Sequence, residues 1–321
     1  MTMTTTTTTT ARAQRGGDRR ATRPPSRLPQ GLRAWFRVIP FMGPHLVLFA
    51  VFGLFPACFG IYVAFTQWNL IGDPQWVGLD NFRVLFDTDH AFHRIFMNGL
   101  WNTILFVVVG VPLLIAVPLV LAVMLSRKDL RGANVFQGIF FVPGLIAVSA
   151  AAIAWNLVFN REFGPINHYL GTDISFTTTQ PWAWTTIFVL TVWAGIGGNL
   201  IIYRSAISAV PQELYEVASI DGAGAVRSFF NVTLPSIRLP LLYTTVMTTT
   251  VSFNVFAQPL MLTNGGPADS TTVLMMEVRD LAFGGGPSIA GVASAMAVLL
   301  GLVLMAISAI QFFIMYRRTD V

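Results

Sequence analysis

The chain is short of charge. Only 11% of its 321 residues are Asp, Glu, Lys or Arg, against about 25% in a soluble globular domain. A soluble fold this poor in charge would have little with which to cover its surface. Lysine is nearly absent, Lys128 being the one lysine among twenty basic residues. A single cysteine, Cys58, excludes an intrachain disulfide and leaves the redox compartment unspecified. Motifs of chemistry are missing too. There is no G-x-x-x-x-G-K-[ST] phosphate loop, and Lys128 follows Ser126-Arg127 rather than glycine. H-E-x-x-H, C-x-x-C and G-x-S-x-G do not occur. The residues therefore offer no means of hydrolysing a nucleotide, and no catalytic residue is expected.

What is present is apolar: 54% of the residues are hydrophobic, gathered in long blocks. Continuous blocks of roughly 18 residues or more read as membrane spans. Six helices are expected, near 41–66, 99–125, 135–159, 182–209, 240–262 and 289–316. Helices are preferred to barrel strands because the blocks do not alternate. The net charge of +5 does not signal nucleic-acid binding, since the basic residues sit in a tail and in short connections. The tail itself, a threonine run over Thr4–Thr10 followed by eight arginines from Arg12 to Arg37, cannot bury a core and is expected to be disordered. The apolar block from Phe41 to Thr66 is too long for the core of a removed signal and reads as a retained span.

Sixteen of the twenty basic residues fall on one side of the six spans: the tail, Arg127, Lys128, Arg131, Arg204, Arg227, Arg238, Arg317 and Arg318. Arg83, Arg94, Arg161 and Arg279 lie on the other. By the positive-inside rule both termini are expected in the cytoplasm. The outer connection 67–98 is rich in aromatics, including Trp68, Trp76, Phe82 and Phe96. That pattern suits a short interfacial element or a belt at headgroup level. His90 and His93 have helical metal-site spacing but no third ligand nearby, so no metal is expected.

Buried acids, lysines or histidines mark ion pathways, and the spans are almost free of them. Arg204 sits near the cytoplasmic end of the fourth span, where it can snorkel, and His45 near the start of the first. The energy source is therefore expected outside the chain. The cytoplasmic connection 211–240 is long and apolar for a linker. Pro211 suits a first helical position, Asp221-Gly222 is a turn signal, and Phe229 to Leu234 form an apolar surface before Pro235. It reads as helix, turn and second helix, packing either on its own bundle or on a partner.

This segment resembles the signature of binding-protein-dependent ABC permeases, E-A-A-x-x-x-G followed by I-x-L-P. Here it is Glu216-Val217-Ala218, Asp221-Gly222-Ala223, Phe229 and Val232-Thr233-Leu234-Pro235, with valine in place of the middle alanine. Gly78-Leu79-Asp80-Asn81-Phe82 is similar to a G-L-x-N-[YF] motif of sugar permeases, and Asn102-Thr103 to the opening of their core. Leu262-Thr263-Asn264-Gly265-Gly266-Pro267 with Ser270-Thr271 resembles the L-T-x-G-G-P…S-T loop of subunits related to MalF, without that subunit's large outer insertion.

The resemblance implies an all-α membrane protein with a MetI-like type I importer core of the bacterial inner membrane. It divides the chain into a basic tail (1–38), a first helix and external loop (39–98), and a five-helix core (99–321). Implied partners are two copies of an ABC ATPase, a second permease related to MalG, an extracytoplasmic sugar-binding protein and membrane lipid. ATP and Mg would belong to the ATPase, with no cofactor on this chain. The loop would seat in a cleft of the ATPase, Glu216 meeting a basic group and Gly222 permitting the turn.

The scarcity of charge in the spans favours a neutral solute such as a mono- or oligosaccharide. Candidate path residues are Trp193, Gly195, Gly198 and Asn199 in the fourth span and Thr248, Ser252, Asn254 and Gln258 in the fifth. Each is equally readable as helix packing. A permease for glycerol-3-phosphate and, in another class, a stand-alone channel or secondary carrier are the alternatives.

Overall fold

The computed structural model describes residues 30–127, 129–284 and 288–317. The expectations for the tail up to residue 29, for Lys128 and for Arg318 lie outside the described residues. Two compact units divide the chain, Met1–Ala57 and Cys58–Val321. In the first, α1 (Gln30–Phe49) is followed by a π-turn (Ala50–Leu54). Its large apolar side chains stand open, Phe41 at 86% and Phe52 at 76% exposure. A helix that is apolar all round belongs in lipid or against other helices.

The second unit begins within α2 (Phe55–Ala64). A hairpin of β1 (Thr66–Gln67) and β2 (Gln75–Trp76), α3 (Asp80–Phe86) and the long α4 (Ala91–Leu125) follow. Next come α5 (Ala133–Phe141), α6 (Val148–Val158), α7 (Pro165–Leu170) and α8 (Trp182–Ser208). The next connection holds α9 (Gln212–Ile220), α10 (Ala225–Ser228) and α11 (Leu234–Ser236). Last are α12 (Arg238–Phe253), α13 (Ala257–Leu262), α14 (Leu274–Phe283) and α15 (Ala290–Arg317).

Among the described residues four stretches are long and apolar enough to cross a membrane as single helices: Phe41–Ala64, Ala91–Leu125, Trp182–Ser208 and Ala290–Ile314. About 20 helical residues cross the hydrocarbon core, so α4, at 35 residues, reaches well beyond it. Threonines enter these helices without orphaned hydroxyls by donating to the carbonyl one turn back. Thr103 donates to Gly99 at 2.7 Å and Thr191 to Ile187 at 2.7 Å, and Thr249 on α12 does the same to Thr245 at 2.7 Å.

Two expected spans are not straight helices. The one over 135–159 is α5 and α6, bent by 102°. A 3-10 turn at Val142–Leu145 and extended backbone at Ile146 (ψ 131°) separate them. The bend lies against α8, where a Cβ on Gly144 would come 3.1 Å from the Ala194 carbonyl. The one over 240–262 is α12 and α13, interrupted at Asn254–Phe256, with Phe256 at φ −154°. The ring of Pro259 opposes the carbonyl of Val255, four residues back, which disfavours a continuous helix there, although α4 absorbs Pro112 and Pro118 without a break.

Three clusters make the core. One joins α4, α14 and α15 through Phe96, Leu274, Ala295 and Met296, with Leu85 of α3. A second gathers Phe106, Ile187, Leu190, Val273 and Met276. The third surrounds the fully buried Tyr203 with Leu119, Leu200 and Ile237. The outer aromatics divide between roles: Phe96 is buried, Phe82 packs on Phe65 at 5.3 Å, and Trp76 and Phe86 stay exposed. His90 caps α4 by accepting from the Phe92 amide, and the His93 ring bonds the Leu85 carbonyl at 2.8 Å. Arg204 is half-buried, and its guanidinium bonds Gln137 and, at 2.8 Å, Asn134 on α5.

Candidate coupling loop and solute path

The connection between α8 and α12 is built around one glycine. Pro211 is the N-cap residue of α9 rather than its first residue, and Glu213 stands in the first turn, where a negative charge suits the helix dipole. The helix stops because Gly222 is left-handed, φ +73°. The Ala223 amide then donates to the Ala218 carbonyl at 2.9 Å and the Gly222 amide to Ser219 at 3.1 Å. These are the two bonds of a Schellman cap, which satisfy carbonyls the helix end would orphan. An L side chain at residue 222 would meet the left-handed penalty of about 1–2 kcal/mol. The motif's glycine is thus a conformational requirement, and Ala218 is the residue whose carbonyl closes the cap.

After the turn, α10, a π-turn (Phe229–Thr233) and α11 lead into α12. The Tyr215 hydroxyl bonds Thr233 Oγ1 at 3.0 Å, tying the two arms together. Phe229 and Leu234 pack on the cluster around Tyr203 and Ile237. The opposite side is open. Leu214, Val217 and Ile220 are 46%, 56% and 84% exposed, and their spacing of three puts them along one side of α9. Glu216, Asp221 and Pro235 are exposed as well. Val217, the departure from the motif, enlarges this apolar strip.

The candidate path residues separate into groups. Asn199 donates its amide to the Leu114 carbonyl at 2.9 Å and to Thr248 Oγ1 at 3.2 Å, linking α8, α4 and α12. Ser252 is buried at 3%. Gly195 faces Leu114, whose Cδ2 would lie 2.6 Å from an added Cβ, whereas nothing lies within 4 Å of one on Gly198. Asn254 is exposed at the helix break and donates to the Thr250 carbonyl at 2.9 Å; Gln258 is half-buried on α13. Trp193 meets Trp155 edge to face at 5.6 Å. Both line an apolar cavity of about 520 Å³ between α4, α6 and α8, which none of the other seven candidates reaches. Trp155 was not anticipated. It lies on α6, and no sequence spacing relates it to Trp193.

Two motifs that stand apart in sequence meet. The Asn102 amide donates to the carbonyls of Asp269 (3.0 Å) and Thr272 (2.9 Å), and Asn98 also reaches Asp269, at 2.9 Å. Thr103 Oγ1 accepts the Leu274 amide at 2.9 Å. Within the loop, Thr263 and Thr271 bond at 2.7 Å. Gly265 is left-handed (φ +83°), and an added Cβ would fall 2.2 Å from Thr272 Oγ1. Glu277 packs beneath, next to Gly99. Burial, with Asp269 and Asp280 nearby, pushes its carboxyl up to about 7.

The helices and the exposed loop together define a membrane-embedded permease subunit. The profile of the family described as binding-protein-dependent transport system inner membrane component matches residues 90–320. The chain belongs to that family, whose subunits are non-catalytic permeases. It is 31% identical to the probable starch degradation products transport system permease protein AmyD of Thermoanaerobacterium thermosulfurigenes, over 87% of this chain and 93% of that one. It is 30% identical to the sn-glycerol-3-phosphate transport system permease protein UgpA of Yersinia enterocolitica, over 86% and 92%. Its fold matches, with a TM-score of 0.76 and 22% identity over 92% and 99%, a chain in the crystal structure of a bacterial alginate ABC transporter in complex with alginate pentasaccharide-bound periplasmic protein.

Proposed function

We propose that this chain forms half of the translocation path of an ATP-driven importer for a neutral mono- or oligosaccharide. An extracytoplasmic sugar-binding protein delivers the solute, and a second, MalG-like permease supplies the other half. Two ABC ATPases hold ATP and Mg and drive the cycle. The observation that carries this reading is the apolar strip of Leu214, Val217 and Ile220 on a helix closed by Gly222. A stiff helix with an open apolar side in the loop between two spans suits docking to a partner. The ATPase is the partner chosen, with Glu216 meeting a basic group in its cleft. ATP-driven approach of the two ATPases would then rock the permeases between outward and inward access.

The arginine distribution supports a topology with both termini in the cytoplasm. The working division is a basic tail (1–38), a first helix with external loop (39–98) and a core (99–321) carrying the coupling loop 211–240. A sugar is preferred to glycerol-3-phosphate, the solute in UgpA's name. The one arginine within the fourth expected span, Arg204, is engaged by Gln137 and Asn134, which leaves it poorly placed to receive a phosphate. AmyD's name, with its starch degradation products, supports the same choice. The test is sugar uptake by vesicles carrying the complete transporter. Uptake that needs ATP and the partner ATPase, and that excess glycerol-3-phosphate does not inhibit, supports the reading; uptake without the ATPase overturns it.

A further inference from the structure

A cavity of about 660 Å³ opens between the β1–β2 hairpin, α3 and the start of α15. Small-molecule sites typically measure about 300–1,000 Å³. It is apart from the α8–α12 stretches and from the apolar cavity at Trp193, and its lining mixes polar and apolar side chains. Strand geometry explains the lining. Gln67 pairs directly with Gln75, and directly opposed residues share a face. Gln67 and Gln75 of the strands line the cavity, and the turn between them adds Trp68, Asn69, Ile71 and Asp73. On the other face Trp76 stacks on Phe65 at 5.6 Å.

The frame of this cavity is stiff. The Asn81 amide donates to the carbonyls of Ala64 (2.9 Å) and Thr66 (2.8 Å), and the Ala290 amide to that of Trp68 at 3.1 Å. Gly291 lets α15 press against the hairpin, since a Cβ there would lie 2.0 Å from the Thr66 carbonyl. Trp68 is held by Nε1 donating to Gly72 at 3.0 Å and by an edge contact with Phe59 at 6.0 Å. The polar groups facing the space are partly uncommitted: Asn69 Oδ1 accepts the Ile71 amide at 3.1 Å, which leaves its side-chain NH2 to donate. The side chains of Gln67, Asp73 and Gln75 carry no hydrogen bond among the described residues. Ser288 Oγ, which also lines the cavity, is buried with no partner there.

The chemistry of the lining selects a ligand class. Amides and a hydroxyl can both donate and accept, the carboxylate of Asp73 accepts, and Trp68 offers an aromatic surface. Among the described residues no Lys, Arg or His lines the cavity, and Asp80 is already paired with Arg83 at 2.7 Å. An anion would meet carboxylates and no cation. We propose that this cavity is a second solute site, binding an uncharged, hydroxyl-rich ligand of the sugar class between the hairpin and α15. Its position on the outer side of the membrane rests on the topology proposed above; the ligand class rests on the lining alone. A sugar held here would be retained near the mouth of the path after leaving its binding protein.

The experiment uses the assembled transporter in lipid nanodiscs, without the binding protein. Glucose, lactose, maltotriose and raffinose are titrated by calorimetry, with glycerol-3-phosphate and a lysine tripeptide as anionic and cationic controls. Hydrogen exchange of the 66–77 segment locates the binding. At least one neutral sugar is expected to bind and to protect that segment. Asn69→Ala and Gln75→Ala should each weaken it by about tenfold, and Trp76→Phe, on the outer face of the hairpin, should not. Thermal unfolding of each variant separates loss of the site from loss of the fold. Absence of binding by all four sugars, protection elsewhere, wild-type affinity in folded Asn69→Ala and Gln75→Ala proteins, or preference for the tripeptide would each overturn the proposal. ATP-driven uptake is read separately. Sugar uptake without this binding defeats the second site alone, and binding here without sugar uptake defeats the transport reading alone.

Discussion

The side-chain amide of Asn102 lies 3.0 Å from the backbone carbonyl of Asp269, 167 positions further along the chain. That bond, with its companion to Thr272, makes one structural unit of two motifs that sequence presents separately. It clamps a loop in which Asn264, Gly265, Ala268 and Asp269 all take positive φ. Replacing Asn102 by leucine takes the side-chain donor from the Thr272 carbonyl and one of two side-chain donors from the Asp269 carbonyl, Asn98 remaining. The expected loss is about 1–3 kcal/mol, read as a lowered unfolding temperature of the purified protein in detergent. An unchanged midpoint would mean that the loop holds its shape without the clamp.

Gly222 should respond differently from its neighbours. Gly222→Asp places a side chain at φ +73° and re-aims the arm that follows α9. Uptake should be abolished while the amount of protein in the membrane is retained, measured by transport at matched expression. Gly224→Ala, at a residue with negative φ, should keep most of the uptake. Normal uptake in Gly222→Asp would remove the loop from the coupling role.

Adjacent glycines in α8 supply a second contrast. A Cβ on Gly197 would fall 2.7 Å from Phe141 Cα and 3.0 Å from the Phe140 carbonyl, both backbone atoms, so the helices must part. Gly197→Ala should cost about 1–3 kcal/mol. Gly198 has open space, and alanine there should be neutral or stabilise by up to about 1 kcal/mol. Any change in solute preference in Gly198→Ala then reports on the path and not on folding. A large stability loss in that variant would show that residue 198 faces a packed neighbour.

Glu277 predicts a pH dependence. Its carboxyl is raised from 4.5 to about 7, first by burial and then by Asp269 and Asp280. Between those values the folded chain holds a proton that the unfolded chain has released. Stability therefore falls as pH rises from about 4.5 to about 7 and levels off above that. The charged neighbours are carboxylates, except that Arg279 pairs with Asp280 at 2.6 Å. Glu277→Gln should flatten this part of the stability–pH curve, followed by thermal unfolding across the window. Parallel curves for the two proteins would assign the dependence to another group.

Much of the architecture is written locally. Hydrocarbon demands long apolar runs whose backbone groups bond internally, so the helices expected near 99–125, 182–209 and 289–316 could be placed from composition, although the first starts earlier, at Ala91, inside the expected outer connection. Gly222 was equally legible, because a left-handed helix end needs glycine wherever the rest of the chain lies. The family motifs followed from residues alone. Tertiary structure decided what local sequence cannot express. It bent the third expected span by 102° against α8 and broke the fifth ahead of Pro259. It engaged Arg204 with α5 and divided the polar residues of two spans into helix ties, such as Asn199 to Thr248, and open positions, such as Asn254. It brought Trp155 to Trp193 and set Asn102 on Asp269. The physical reason is common to all of them. A helix's existence depends on neighbours within one turn, whereas the partner of a side chain depends on which distant helix the packing brings within hydrogen-bonding or van der Waals reach.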